Sequence, residues 1–173
     1  MTSTLKVQNI AHTGGTNAIA IDSTGRILTP ARPAFCVKRN GNQGITNNTA
    51  EKIQWNEERF DIGGNFDHTT NYYFTVPITG IYQLQYNIRL EQLDTAGSYV
   101  QVRMKKNSGT TLDTYTIDLN EEFTSDVDYH MATHSNIYQL TASDTVYVEY
   151  HQSGGAVQTQ IQSESIFSGY LVG

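Results

Sequence analysis

The sequence predicts an all-β protein, two antiparallel sheets packed face to face, preceded by a short extended segment. Three observations carry this. Tyr82, Leu84, Tyr86, Ile88 and Leu90 share one parity, and Gln83, Gln85, Asn87 and Arg89 share the other. That period-2 alternation is the mark of a strand with one buried face; a helix would space its apolar residues at i, i+3 and i+4. The composition, with 11 Tyr and 14 Gly in 173 residues and a charged fraction of only 16%, favours strands and turns over helices. A hydrophobic content of 38% with a mean hydropathy of −0.45 is low for a large core but suffices for strands that each bury one face.

Taken in order, residues 1–30 divide from residues 31–173. Leu5, Val7 and Asn9-Ile10 suggest one short strand and Ala18–Ile21 a second, with the turn sequence Thr13-Gly14-Gly15-Thr16 between them and Asp22-Ser23-Thr24-Gly25-Arg26 after them. Two short strands cannot bury a core alone, so this segment either docks on a partner surface or is a disordered leader. In Pro33 to Lys38, Phe35 and Val37 share one parity and Cys36 takes the other. Pro77 and Gly80 mark a corner before the long alternating strand, since Pro cannot donate to a ladder and Gly allows the tight turn. Val100, Val102 and Met104 alternate against Gln101, Arg103 and Lys105, and Thr111–Ile117 is the expected hairpin mate beyond Asn107-Ser108-Gly109.

Asp118 to Asp128 is the main acidic run. It reads as a solvated loop, with calcium as the alternative, and it lacks the glycine and terminal glutamate of an EF-hand. Tyr129–Leu140 and Val146–Gln152 are two more strands. His130 and His134 stand about 13 Å apart on a strand, too far to share an ion within one chain. In the last strand, Phe167 and Leu171 occupy one face while Ile166, Tyr170 and Val172 occupy the other. A strand apolar on both sides must be covered on both sides, and a sandwich covers only one from within. The second face therefore predicts contact with another subunit.

Two groups of residues also carry a family resemblance. Trp55, Asp61, Phe66 and Phe74, followed by Gly80-x-Tyr82-x-Leu84-x-Tyr86, form the first. Ser165-Ile166-Phe167-Ser168-Gly169-Tyr170-Leu171 near the C-terminus forms the second. Together they resemble the C1q domain, the globular head of the complement and tumour necrosis factor-like jelly rolls, over Pro33 to Val172. The family pattern has Phe where Trp55 and Leu84 stand and one residue fewer between Phe66 and Phe74. The resemblance implies a two-sheet jelly-roll sandwich that packs as a homotrimer about the sheet containing the last strand. The expected protomer core is Phe35, Val37, Trp55, Phe66, Phe74, Tyr82, Leu84, Tyr86, Phe167 and Leu171. The expected trimer interface is Ile166, Tyr170, Val172 and Tyr138. Residues Val7 to Arg26, with His12, Gly14-Gly15-Thr16 and Ile21-Asp22-Ser23, resemble leaders that precede adhesive domains in tail-fibre and virion proteins of bacterial viruses.

Composition and motif search bound the function. A net charge of −6 with pI near 5.2 argues against tracking a nucleic-acid backbone. The single cysteine, Cys36, excludes an intrachain disulfide framework and a cysteine-rich metal site. Residues 1–30 show neither a secretory signal nor a membrane span, so assembly in a reducing cytoplasm is expected. With no nucleophile elbow, phosphate loop or paired catalytic carboxylates, no catalytic residue, metal or cofactor is expected. The reading is a non-enzymatic virion protein of a bacterial virus, a trimeric tail fibre or spike. Its head would bind a host surface glycan or protein, and residues 1–30 would join other virion proteins. Tyr72, Tyr73, Tyr99 and Tyr147 are read as exposed rings able to stack on sugars or, equally, as structural strand aromatics. The alternative is a capsid decoration or head-fibre protein that clamps capsomers.

Overall fold

The computed structural model describes residues 5–173; the first four residues of the expected attachment segment lie outside the described residues. That segment forms a small antiparallel sheet of its own, β1 (Asn9–Ala11), β2 (Asn17–Ile21) and β3 (Ile27–Leu28). The third strand exceeds the sequence expectation because two residues are too few to show alternation. Asp22 organises the β2–β3 turn. One carboxylate oxygen accepts the backbone N–H groups of Thr24 and Arg26 at 2.9 Å each, and the other accepts Arg26 Nε at 2.7 Å. The Arg26 backbone N–H, foremost among these donors, holds the Asp22 carboxyl down at about 2. No described residue before Pro33 is buried, so this sheet has no core.

The head follows as β4 (Ala34–Lys38), β5 (Gln43–Gly44), β6 (Glu51–Lys52), β7 (Glu57–Ile62), β8 (Phe66–Asp67), β9 (Tyr73–Thr75) and β10 (Gly80–Leu93). Next come β11 (Gly97–Lys106), β12 (Thr110–Asp118), the single turn α1 (Leu119–Glu122) and β13 (Val127–Leu140). The chain closes with β14 (Thr145–Gly154), β15 (Gln160–Ile161) and β16 (Ile166–Leu171). These strands make two sheets. One runs β7–β4–β16–β10–β13, with β15 beside the second half of β10 and β5 beyond it. The other runs β12–β11–β14–β9–β8, with β6 also on β14. All pairs are antiparallel, and the sheets close face to face into the two-layer all-β sandwich of a jelly roll.

Strand alternation decides what lies between the sheets. Tyr82, Leu84, Tyr86, Ile88 and Leu90 of β10 are buried, as are Val100, Val102 and Met104 of β11 and Val146, Val148 and Tyr150 of β14. The residues that carry the family resemblance converge on one aromatic cluster around Phe35. Its ring stacks on Phe74 at 4.5 Å and meets Phe167 edge-on at 5.0 Å and Phe66 at 5.1 Å. Trp55 lies 5.9 Å from Phe167, and Tyr82 lies 5.8 Å from Phe74. Tilted and edge-on pairs suit the ring quadrupoles, and each buried ring contributes about 1.5–3 kcal/mol through its area alone. Val37 and Leu84 are fully buried in the same core, and Leu171 packs against it while half-buried. Asp61 is used by the fold itself, since its carboxylate accepts the Phe66 N–H at 2.7 Å and closes the Gly63-Gly64 turn.

The corner at Pro77 changes sheets, since β9 and β10 are neighbours in sequence but belong to opposite layers. It is fixed by reciprocal bonds to the next corner, Val76 N–H to the Asp144 carbonyl and Ser143 N–H to the Val76 carbonyl, both 2.8 Å. The acidic run departs from the expected open loop. Its first residues wind into α1 because Leu119 inserts fully into the core and pulls the chain inward.

The open side of the sandwich, between edge strands β12 and β13, is stitched by inward polar side chains. His134 Nε2 lies 2.9 Å from Asp113 Oδ2 and 3.1 Å from the Tyr138 hydroxyl, while Tyr115 and His130 meet at 3.1 Å. Burial, and then the Asp113 carboxylate, push the phenols of Tyr86 and Tyr138 well above their ordinary range. This corrects the expectation for Tyr138 as an interface residue. It pairs with Tyr82 and shares the parity of Ala132 and Leu140, so its ring points into the sandwich. His130 and His134 face the same way.

Candidate functional site

The outer face of the β7–β4–β16–β10–β13 sheet is the distinctive surface. Register places its side chains in rows. Ile62, Ala34, Tyr170, Gln83 and Ile137 form one row, and Phe60, Cys36, Ser168, Gln85 and Ser135 form the next. Ile166 sits in a third row with Lys38 and Asn87, and Met131 and Tyr129 continue along β13. Ile137 is 58% exposed, Tyr170 49% and Phe60 50%. Met131, Val172 and Ile62 are also exposed, although β4, β16 and β10 already bury Phe35, Val37, Phe167, Tyr82, Leu84 and Tyr86 on their other side.

Polar groups on this face are arranged rather than scattered. Gln85 Nε2 donates to Ser168 Oγ at 3.0 Å, and Gln83 Nε2 donates to Ser135 Oγ at 2.6 Å. The Gln85–Ser168 bridge forms a low ridge between two hollows of about 400 and 390 Å³. Cys36 lines the second hollow with Phe60 and Tyr170. Burial pushes its thiol up, against the opposing pull of Arg59. At the rim, Lys38 Nζ lies 3.1 Å from both Glu57 and Glu164, and hydrogen bonding to Glu164 and then Glu57 raises its pKa. Ile166, Tyr170 and Val172 thus stand on this face, with Ile166 half-buried.

The outer face of the opposite sheet carries three of the four tyrosines read as stacking candidates. Tyr147 is not exposed: only 7% of it is accessible, because β6 pairs with β14 and lays the Lys52 ammonium 4.4 Å from the ring centre. Burial pushes its phenol up. Tyr73 lies under the same ammonium at 5.4 Å, and Tyr99 pairs with the His151 ring at 5.8 Å. Tyr72, half-buried at a φ of 56°, packs on the core instead of presenting a ring to solvent. Neither cover was legible in sequence, since Lys52 and the core reach these rings from distant positions.

A third surface is the apical end, where the loops 39–50, 94–96, 119–126 and 155–165 meet. Asp126 accepts from Thr95 and Gln158, and Asp94 accepts the backbone N–H groups of Ala96 and Ala156. The Thr95 N–H leads the donors that hold Asp126 below the usual carboxylate range. These carboxylates brace the loops with protein donors. Among the described residues, no group of three or more His, Cys, Asp or Glu is placed to hold a metal, and no helix is long and apolar enough to cross a membrane.

Comparison with known proteins bears on the same sheets. The family model described as C1q domain matches residues 34–172. The globular domain of zebrafish complement 1qA protein aligns with a TM-score of 0.59 at 20% identity, over 82% of this chain and 98% of that one. The Eiger TNF of S. frugiperda gives 0.62 at 14% identity over 83% and 94%, and murine APRIL gives 0.57 at 9% over 82% and 99%. A search of curated proteins finds no match. Such distant likenesses establish the shared jelly roll, and C1q-type domains are in general non-enzymatic binding or structural modules. The chain belongs to the C1q domain family.

Proposed function

We propose that three copies of the chain pack about a threefold axis through the outer face of the β7–β4–β16–β10–β13 sheet. The product is a non-enzymatic homotrimer acting as a tail fibre or spike on the virion of a bacterial virus. The observation that carries the assembly is the set of exposed apolar side chains, Phe60, Ile62, Met131, Ile137, Tyr170 and Val172, on the side of the sheet that faces away from the core. A contiguous apolar surface of that kind marks an interaction site. The viral setting is supported by the resemblance of Val7–Arg26 to virion leaders. In this reading residues 1–30 join other virion proteins. The apical loops meet a host surface glycan or protein, three equivalent sites adding avidity.

One observation favours the second reading, a capsid decoration protein. The apical loops carry a single aromatic, Phe123, and it packs against the core, so no ring stands there to stack on a sugar. Copy number on the particle separates the two readings: a few trimers at one vertex fit a spike, and hundreds fit decoration.

Light scattering on the full chain and on Tyr170→Asp tests the assembly. The expected masses are three times 19.3 kDa for the native chain and 19.3 kDa for the variant, with a native-like strand spectrum in both. A variant that stays trimeric at micromolar concentration overturns the interface.

A further inference from the structure

We propose that the β1–β3 sheet is itself a threefold assembly element: three copies pack through a face of four isoleucines to form a short stalk at the end of the heads opposite the apical loops. The proposal rests on the trimeric reading of the head.

Register defines that face. Ile10 pairs with Ile19 across β1–β2, Ile21 pairs with Ile27 across β2–β3, and Ile19 and Ile21 are two apart on one strand. Strand geometry puts all four side chains on the same side. The opposite side carries Asn9, Ala20 and Leu28. Ile27 is 71% exposed and Ile10 49%, and no described residue of the segment is buried. A three-stranded sheet this small is stable only when its apolar face meets a second layer. The Asp22–Arg26 pair is satisfied within its own turn, and the four side chains of the face are themselves uncharged, which suits it to another such face.

Continuity with the head identifies the occupant as copies of the same segment. Only residues 29–33 separate β3 from β4, and Ala34 and Cys36 of β4 stand on the proposed subunit interface. Five residues span at most about 17 Å. Three isoleucine faces therefore start beside one axis on short tethers, at an effective concentration in roughly the millimolar range.

The test places one cysteine per full-length chain in a Cys36→Ser background, either at Ile19 on the seam (Ile19→Cys) or at Ala18 on the opposite side (Ala18→Cys). Mild oxidation at sub-micromolar concentration should link Ile19→Cys chains in pairs at least tenfold faster than Ala18→Cys chains. In parallel, Ile19→Asp with Ile21→Asp should keep the trimeric mass while amide exchange over residues 9–28 rises at least tenfold. Trimeric mass with equal linking rates overturns the seam alone. So does free exchange of residues 9–28 in the native trimer, or protection that arises only on an added particle protein. A monomeric native chain overturns the head reading and the seam with it.

Discussion

The two outer faces of the head obey the same alternation and end in opposite chemistry. On the β12–β11–β14 side the outward residues are Gln101, Arg103 and Lys105 facing Thr116, Thr114 and Thr111, with Glu149 2.9 Å from Arg103. On the β7–β4–β16–β10–β13 side they are Phe60, Ile62, Ile137 and Tyr170 around a narrow line of Gln and Ser. The first face is finished by water and short polar cross-strand pairs. The second leaves its apolar side chains uncovered in the single chain. What distinguishes them is the residue type at positions the core does not use.

The comparison breaks most violently from within. Phe167→Ala removes a ring shared by Phe35, Trp55 and Phe66 and should cost about 3–5 kcal/mol, read by urea unfolding; both outer faces would be lost together. Gly169→Ala should cost about 1–3 kcal/mol by overpacking. A Cβ there would stand 2.5 Å from Leu84 Cδ2 and 2.9 Å from Phe35 Cε1, with the Gln83 carbonyl at 3.0 Å. The close approach of β16 to β10 and β4 requires a residue with no side chain.

A matched pair sharpens the comparison. Ile137→Lys should lower the mass from trimer to monomer, while Thr116→Lys on the other face should leave mass unchanged and alter stability by no more than about 0.5 kcal/mol. Equal masses would erase the distinction between the faces. The smallest effect concerns a corner. The Asp144 carboxylate accepts from Thr141 N–H and from Asn107, and the Thr141 bond above all holds it below its ordinary 3.8. A carboxyl lowered by folding contributes stability that is present above 3.8 and lost as pH falls through the lower folded value. Melts between about pH 5 and pH 2 should therefore fall less steeply in Asp144→Asn. The difference for this one carboxyl, whose side chain is 12% accessible, should be no more than about 2–4 °C.

Much of this was legible from residues two apart. The inward set of β10, the hairpin of β11 with β12 and the doubly apolar last strand follow from parity alone. Tyr138 did not, because an aromatic on an edge strand takes its direction from register with β10, which sequence does not print. Tyr147 and Tyr72 are covered rather than exposed because their covers come from elsewhere in the chain. Both leader strands were visible, but the common face of their isoleucines exists only once β1, β2 and β3 are paired. The short turn α1 rests on one buried leucine, too little signal to separate from its acidic neighbours.

The position of β4 has a mechanical consequence. The chain enters the head along β4, which is hydrogen-bonded on both sides, to β16 and to β7, and Ala34 lies opposite Tyr170 near the other terminus. A pull applied through residue 33 along the strand loads the ladder from Ala34 to Lys38 in shear, so its bonds share the force instead of failing one after another. Tension between the N-terminal segment and the apical loops therefore meets the head in its most resistant direction. A force spectrum with the handle at residue 33 should show a higher rupture force than one with the handle on edge strand β12.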